Sequence, residues 1–337
     1  MNDTLIFRFG LISDIQYADI EDGTNFGGSE HRAYRDSIRH ATRTINEWIS
    51  LDIRPAFIAQ LGDLIDGQNA GEYGQGLDLD EPQSERAFES VIEAWRDCPI
   101  PTYHAVGNHE LYNFSWARLA QVLNGTHQGA THHISRSTRD AGDSRDRFYF
   151  SWRPHPGWRM IMLNCYELSV IRPHSDEVLA EAEALLRAHN PNYGKPPPYN
   201  YFDGLTTDQL RYVPFNGGLG SQQIDWLTSE LATARREGER VIAMGHLPLY
   251  PDAASPRNVA FDADEALSVL QASGCVVAYF AGHRHGGGYA QDSSGIHHVT
   301  IQAPLTHGYC AATADVCTSR IEISGEGGHR SYTLKMS

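Results

Sequence analysis

The chain has 337 residues, 41% hydrophobic and 20% charged, enough for the core of one large domain or two small ones, which excludes global disorder. A formal net charge of −15 argues against a general nucleic-acid binder, which normally carries a basic face. An anionic substrate stays open, because bound cations reverse the field locally.

Residues 5–12 are apolar and β-prone and predict a buried strand running straight into Asp14. Spaced apolar positions (Ala33, Ile38, Ala41, Ile45, Trp48) predict a helix over 31–51, and 55–61 predicts a strand ending at Gly62-Asp63. A second helix is expected over 84–97 with Ser84 as its N-cap, then a strand over 100–106 ending at Gly107-Asn108. Residues 148–152 and 158–163 read as strands joined through Pro154 and Pro156. The same grammar returns with a helix over 221–236, a strand over 240–244 ending at Gly245-His246, a helix over 262–272 and a strand over 275–280 ending at Gly282-His283. Residues 288–303 and 319–334 are β-rich. Alternating strands and helices with added strand pairs predict a mixed α/β layered fold, in which ligands gather beyond the strand ends.

Two segments depart from this grammar. Residues 68–82 are rich in glycine and acid and read as a surface loop. Residues 166–220 carry Pro196-Pro197-Pro198, several tyrosines and Gly217-Gly218, and read as an insertion that partly covers the site; the tyrosines of 193–212 read as packing. One domain over 1–337 is expected, with that insertion as a cap.

The five cysteines (Cys98, Cys165, Cys275, Cys310, Cys317) are odd in number and form no CxxC, so a reducing cytoplasm is expected rather than a disulfide framework. Met1 to Gly10 has no basic stretch followed by an apolar one, and no run approaches the roughly 20 apolar residues of a membrane span.

Each strand-end motif closes on a residue that can hold a divalent metal. Asp14 and Gln16, two apart at a strand end, can converge on one ion. Asp63 follows Gly62, where a bridging carboxylate on a tight turn leaves little room for a Cβ. Asn108 offers a neutral oxygen, and His109 beside it is placed to protonate or stabilise a leaving oxygen. Gly282-His283-Arg284-His285 sets two imidazoles two residues apart, with His246 upstream. The doublets His132-His133 and His297-His298 have no motif around them and read as surface or core histidines.

Taken in order, Asp-x-Gln, Gly-Asp-x-x-Asp, Gly-Asn-His-Glu, Gly-His and Gly-His-x-His resemble the calcineurin-like metallophosphoesterases, whose fold is a sandwich of two mixed β-sheets flanked by helices. Gln16 stands where most members carry His. With Ser13 to Asp19, Asn25-Phe26, Gln60 to Gly67, Gly107 to Phe114, Phe215 to Gly218 and His246 to Pro251, it looks like the subgroup of manganese-dependent ADP-ribose/CDP-alcohol diphosphatases. The resemblance implies one ion on Asp14, Gln16, Asp63 and His285, and a second on Asp63, Asn108, His246 and His283. Asp63 bridges the two, and Asp66 orients His109. Oxygen at Gln16 favours Mn or Mg over softer metals, and Mn is placed first, ahead of Mg, Fe and Zn.

The expected reaction is cleavage of the pyrophosphate bond of a small nucleotide: ADP-ribose to AMP and ribose 5-phosphate, CDP-alcohols to CMP and a phosphoalcohol. Asn25, Phe26, the 215–219 stretch with Gly218 and Leu219, and Arg257-Asn258 are expected to grip the nucleoside end. No nucleic acid, membrane or obligate protein partner is expected. The rivals are another phosphodiesterase or phosphomonoesterase of the same fold, cyclic nucleotides included, and a non-catalytic scaffold, which should have lost ligands that are all present here.

Overall fold

The computed structural model describes residues 3–25, 28–70, 83–127, 129–137, 146–196, 200–308, 311–326 and 329–336. Phe26, Pro197, Pro198, Cys310 and most of the loop expected over 68–82 lie outside them.

Strand β1 (Leu5–Ile12) is followed by a ribbon of β2 (Gly23–Thr24) and β3 (His31–Arg32), then α1 (Ser37–Ser50), β4 (Ile58–Gln60), α2 (Ser84–Glu93) and β5 (Thr102–His104). Helices α3 (Asn108–Asn113) and α4 (Trp116–Val122) lead to β6 (Gly125–His127), β7 (Ala130–His133) and a second ribbon, β8 (Arg136–Ser137) with β9 (Asp146–Arg147). Next come β10 (Phe150–His155), β11 (Trp158–Met162), α5 (Asp176–His189), α6 (Gly220–Arg236), β12 (Arg240–Met244), α7 (Ala263–Ser273) and β13 (Val276–Ala281). The chain closes with β14 (Gly286–Gln291), β15 (His297–Gln302), α8 (Pro304–His307), β16 (Ala311–Cys317), β17 (Arg320–Glu326) and β18 (Tyr332–Lys335).

Two mixed sheets form, as expected. The eight-stranded sheet runs β18-β17-β16-β1-β4-β5-β7-β6 and the six-stranded sheet β10-β11-β12-β13-β15-β14. Each has a parallel centre, β1-β4-β5-β7 in one and β11-β12-β13-β15 in the other, flanked by antiparallel strands. Period-two alternation turns Phe7, Phe9 and Leu11 of β1 into the interior between the sheets, against Met160, Met162, Ile242, Met244 and Phe280. Phe9 stacks on Phe57 at 4.9 Å and meets Phe280 of the other sheet edge-on at 5.9 Å. A second core lies under the helices, where Ala41, Ile45 and Trp48 of α1, Trp95 beyond α2, and Leu227 and Leu231 of α6 are buried.

Several expectations need correction. The helix over 31–51 starts only at Ser37, because Arg32 and His31 pair with Gly23 and Thr24. Ser84 is the first helical residue, not the cap, and its hydroxyl donates to Asn113 Oδ1 at 2.7 Å. Pro154 lies inside β10, tolerated there because β10 is an edge strand with a register shift between Trp152 and His155. Helix α5 lies within the 166–220 segment, where no helix was read; Ser175 caps it by accepting from Val178 N, and it begins with Asp176 and Glu177. The ends of that segment are joined, since Leu168 and Gly218 exchange backbone hydrogen bonds of 3.0 and 2.8 Å. His132, His297 and His298 are buried. Cys98, Cys165, Cys275 and Cys317 are free thiols. Among the described residues no helix is long and apolar enough to cross a membrane.

Candidate metal centre

Five loops, leaving β1, β4 and β5 of one sheet and β12 and β13 of the other, meet at one point. The loops after β1 and β4 are laced together: Asp14 N donates to Gly62 O at 3.0 Å, Gln16 N to Asp63 O at 2.9 Å and Tyr17 N to Leu64 O at 3.2 Å. Asp14 (φ 53°), Gln16 (44°), Asp63 (61°) and His283 (64°) all take left-handed backbone, and only two other non-glycine residues among those described have positive φ. Such backbone costs about 1–3 kcal/mol per residue and persists where the surroundings over-determine it, typically at a functional site.

Two glycines make room. A Cβ on Gly62 (φ 95°) would lie 2.5 Å from His246 Nδ1, and one on Gly107 would lie 2.1 Å from Asp63 Oδ1. Glu110 then clamps the second and third motifs, accepting from Asp63 N (2.7 Å), Leu64 N (2.6 Å) and Gly107 N (2.8 Å). Its role was not read from the sequence, although Gly107-Asn108-His109-Glu110 has the spacing of a capping box at the start of α3.

Carboxylate oxygens and imidazole nitrogens turn into the centre, with the Gln16 amide nitrogen as a donor among them. Donor atoms of Asp63, His246 and His283 lie within 4.8 Å of one another. His246 Nε2 is 3.4 Å from Asp63 Oδ2 and 3.2 Å from His283 Nδ1; His285 Nε2 is 3.6 Å from Asp14 Oδ1. The far nitrogen of each imidazole is tied to an acceptor. His246 Nδ1 donates to Leu61 O at 2.7 Å, His283 Nε2 to Asn216 Oδ1 at 3.0 Å and His285 Nδ1 to Glu30 Oε1 at 2.7 Å. The Asn216 direction follows because its amide nitrogen is already given to the carbonyls of Arg211 and Arg257, 2.8 Å each. So the three ring nitrogens that face inward are set by outer partners, the arrangement seen around metal-bound histidines.

The amide ligands fit the same purpose once reversed. Gln16 Nε2 donates to Asp63 Oδ2 at 2.9 Å and sits 3.1 Å from His285 Nε2, while its Oε1 is buried without a partner. Turning the amide would bring Oε1 among acceptors, unfavourable alone and favourable around a cation. The hydroxyl of Tyr166 lies 3.2 Å from Asn108 Oδ1 and 3.3 Å from Phe215 O; with Asn108 reversed it can accept from Nδ2, donate to Phe215 and free Oδ1. The donor set, mixed oxygen and imidazole, therefore fits a pair of divalent ions.

Charge accumulates here in metal-free form. Burial opposes the charge on His246, but the Asp63 and Asp14 carboxylates raise it to about 9. Asp63 is buried too, yet His246 and His109 hold its carboxyl far below the usual range. Burial, then the Asp63 charge, pushes Glu110 up to about 7 against its three backbone donors. Burial and neighbouring His246 keep His283 neutral.

His109 turns Nε2 toward the centre, 3.9 Å from Asp63 Oδ2. Its Nδ1 accepts from Gly67 N at 2.7 Å and lies 3.4 Å from Asp66 Oδ2. The bond that orients the ring thus comes from backbone, and Asp66 acts at one remove, accepting from Gln68 N at 2.9 Å to shape that turn.

The expected nucleoside contacts fare differently. Leu219 is fully buried in the helix-side core and cannot wall a pocket, while Gly218 is engaged with Leu168 and packed on Asp262. Asn25 folds its own turn, with Oδ1 accepting from Ser29 N at 2.9 Å and Glu30 N at 3.2 Å. Phe26 lies outside the described residues. Arg257 is exposed, its guanidinium 4.4 Å over the Phe202 ring, with Asn258 partly buried beside it. Phe202 meets Phe215 at 6.2 Å, and Phe215 meets His283 at 6.2 Å. Phe202, like Glu30 and Tyr166, has no role in the sequence reading, and Asn216, expected within the 215–219 nucleoside grip, holds the His283 ring instead.

A family model described as calcineurin-like phosphoesterase matches residues 7–287. A manganese-dependent ADP-ribose/CDP-alcohol diphosphatase from Bos taurus is 36% identical over 331 residues, covering 96% of this chain and 92% of that protein. One of the same name from Danio rerio is 34% identical, covering 98% of this chain and 99% of its own length. The crystal structure of a dimetal phosphatase from Danio rerio superposes with a TM-score of 0.84 at 33% identity, covering 99% of this chain and all of that one.

Proposed function

We infer what this protein does from the fact that it belongs to the calcineurin-like phosphoesterase family. It is a metal-dependent phosphohydrolase, a dimetal diphosphatase acting on small nucleotides. Its substrates are nucleoside diphosphates linked to a second group: ADP-ribose gives AMP and ribose 5-phosphate, and CDP-alcohols give CMP and a phosphoalcohol. Its cofactor is a dinuclear metal centre, with manganese the first choice. The observation that carries this reading is the convergence of carboxylate, amide and imidazole donors, each histidine tied at its far nitrogen.

We assign one ion to Asp14, Gln16, Asp63 and His285 and the other to Asp63, Asn108, His246 and His283. When bound, such a pair neutralises phosphate charge and acidifies an attacking water. Water adds to one phosphorus as the bridging P–O bond breaks, and the proton on His109 Nε2 is placed to stabilise the departing oxygen. Phe215 lies beside His283, Phe202 meets Phe215 and Arg257 covers Phe202, a run of apolar faces ending in a cation that supports them as the seat of the base. One domain over 1–337, capped by the 166–220 segment, is the organisation proposed. Free thiols and net negative charge support a cytoplasmic enzyme without nucleic-acid, membrane or obligate protein partners.

The test is hydrolysis with added Mn of ADP-ribose, CDP-choline, a cyclic nucleotide and p-nitrophenyl phosphate. AMP with ribose 5-phosphate, and CMP with phosphocholine, are expected. Exclusive turnover of the cyclic nucleotide or of p-nitrophenyl phosphate would replace the substrate assignment, and full activity in excess chelator would overturn the metal one.

A further inference from the structure

The three imidazoles are anchored unequally. His246 leans on a backbone carbonyl, and His283 on Asn216, which is fully buried and itself held by two carbonyls. His285 alone leans on a charged side chain, Glu30, which is 29% exposed. A carboxylate only accepts, so the ring proton stays on Nδ1 and the Nε2 lone pair faces Asp14 and Gln16. Glu30 stands on the turn between β2 and β3. That turn is held by Asn25, whose side chain accepts from Ser29 and Glu30 and whose N–H donates to Glu30 O at 3.0 Å. Arg32 of β3 lies 3.8 Å from both Glu30 Oε1 and Asp66 Oδ2, so the ribbon bears on both sides of the centre.

We propose that Glu30 is a positioning residue that fixes the His285 ring, so that the ion assigned to Asp14, Gln16 and His285 is the weaker and more exchangeable of the two. The proposal rests on the two-metal reading above. An anchor set in the core is pre-organised before any ion arrives. An anchor that is part-exposed on a surface ribbon gives way to water more readily than a buried one, so it holds its imidazole less firmly and the ion on it more weakly. Asn25 then serves the metal centre by folding the turn, not by gripping nucleotide.

The test is Mn calorimetry with metal content by elemental analysis on the metal-stripped full chain. Wild type should take up two ions with unequal affinities. Glu30→Ala should raise the Kd of the weaker ion by about 10–100-fold, leave the tighter one unchanged and leave Tm in EDTA unchanged. Glu30→Gln, which keeps an acceptor, should lose less, and Asn25→Ala should weaken the same ion. Should Glu30→Ala lower Tm in EDTA, Glu30→Gln decides by whether a single ion weakens at wild-type Tm. Two ions at wild-type affinity in Glu30→Ala, or equal weakening of both, overturn the proposal while leaving the two-metal reading intact. A wild-type chain that takes up no Mn overturns both.

Discussion

The two sheets contribute opposite chemistry to one centre. The eight-stranded sheet delivers the oxygen ligands proposed above: Asp14 and Gln16 beyond β1, Asp63 beyond β4 and Asn108 beyond β5. The six-stranded sheet delivers only imidazoles, His246 beyond β12 and His283 and His285 beyond β13. Neither sheet carries a usable site alone. The oxygen side is laced backbone to backbone, whereas the nitrogen side is held through side-chain tautomers. The centre therefore lies on the seam of the sandwich, and its geometry depends on how the two layers dock.

The seam is most sensitive at Asp63, the carboxylate that faces the imidazoles. Asp63→Ala should lower kcat/KM by about 10⁴-fold or more, since both ions and several kcal/mol of charge stabilisation depend on it. His285→Ala, which touches one ion, should cost less; equal mild losses would refute the bridging role. On the oxygen side but outside the ligand set, His109→Ala should slow kcat by about 10²–10⁴-fold with both ions retained by elemental analysis. Loss of metal in that variant would make His109 a ligand. On the nitrogen side, Asn216→Ala releases the His283 ring and should weaken one Mn by about 10–100-fold in calorimetry.

Acidity probes the seam directly. In the metal-free protein His246 is protonated up to about pH 9, and it must be neutral to hold an ion. Mn uptake below that pH therefore expels a proton. The Kd should fall about tenfold per pH unit as pH rises toward 9 and level off above it. Calorimetry in buffers of different ionisation enthalpy reads the released proton, and a pH-independent Kd would contradict the pairing with Asp63. The mildest change is Gln16→His, which carries a nitrogen donor into the oxygen half. The preference should move from Mn toward softer ions such as Zn, read as the ratio of activities with each metal.

What could be read from the sequence was local. The strand over 240–244 appears with the bounds expected, and β1 likewise, because an apolar β-prone run that gives way to glycine or to a polar pair such as Ser13-Asp14 specifies both element and ending. The seven candidate ligands could be named because each sits immediately beyond such a strand. Tertiary competition was invisible. His31 and Arg32 pair with Thr24 and Gly23, seven and nine residues earlier, and the helical period over 31–51 carries no trace of it. The outer partners were invisible for a stronger reason: Glu30 is 255 positions from His285, and Asn216 is 67 from His283. Leu219 was misplaced because an apolar residue after two glycines reads the same whether it lines a pocket or fills a core.

One feature of the eight-stranded sheet bears on how the protein is made. β1 pairs with β4 on one side and on the other with β16, some three hundred residues later. During synthesis the apolar sequence LIFRFGLI keeps an open edge until the roughly three hundred residues between it and β16 have followed. Contacts of such sequence separation close late and slowly. The nascent chain therefore passes through a long interval in which the edge of β1 is a template for strangers.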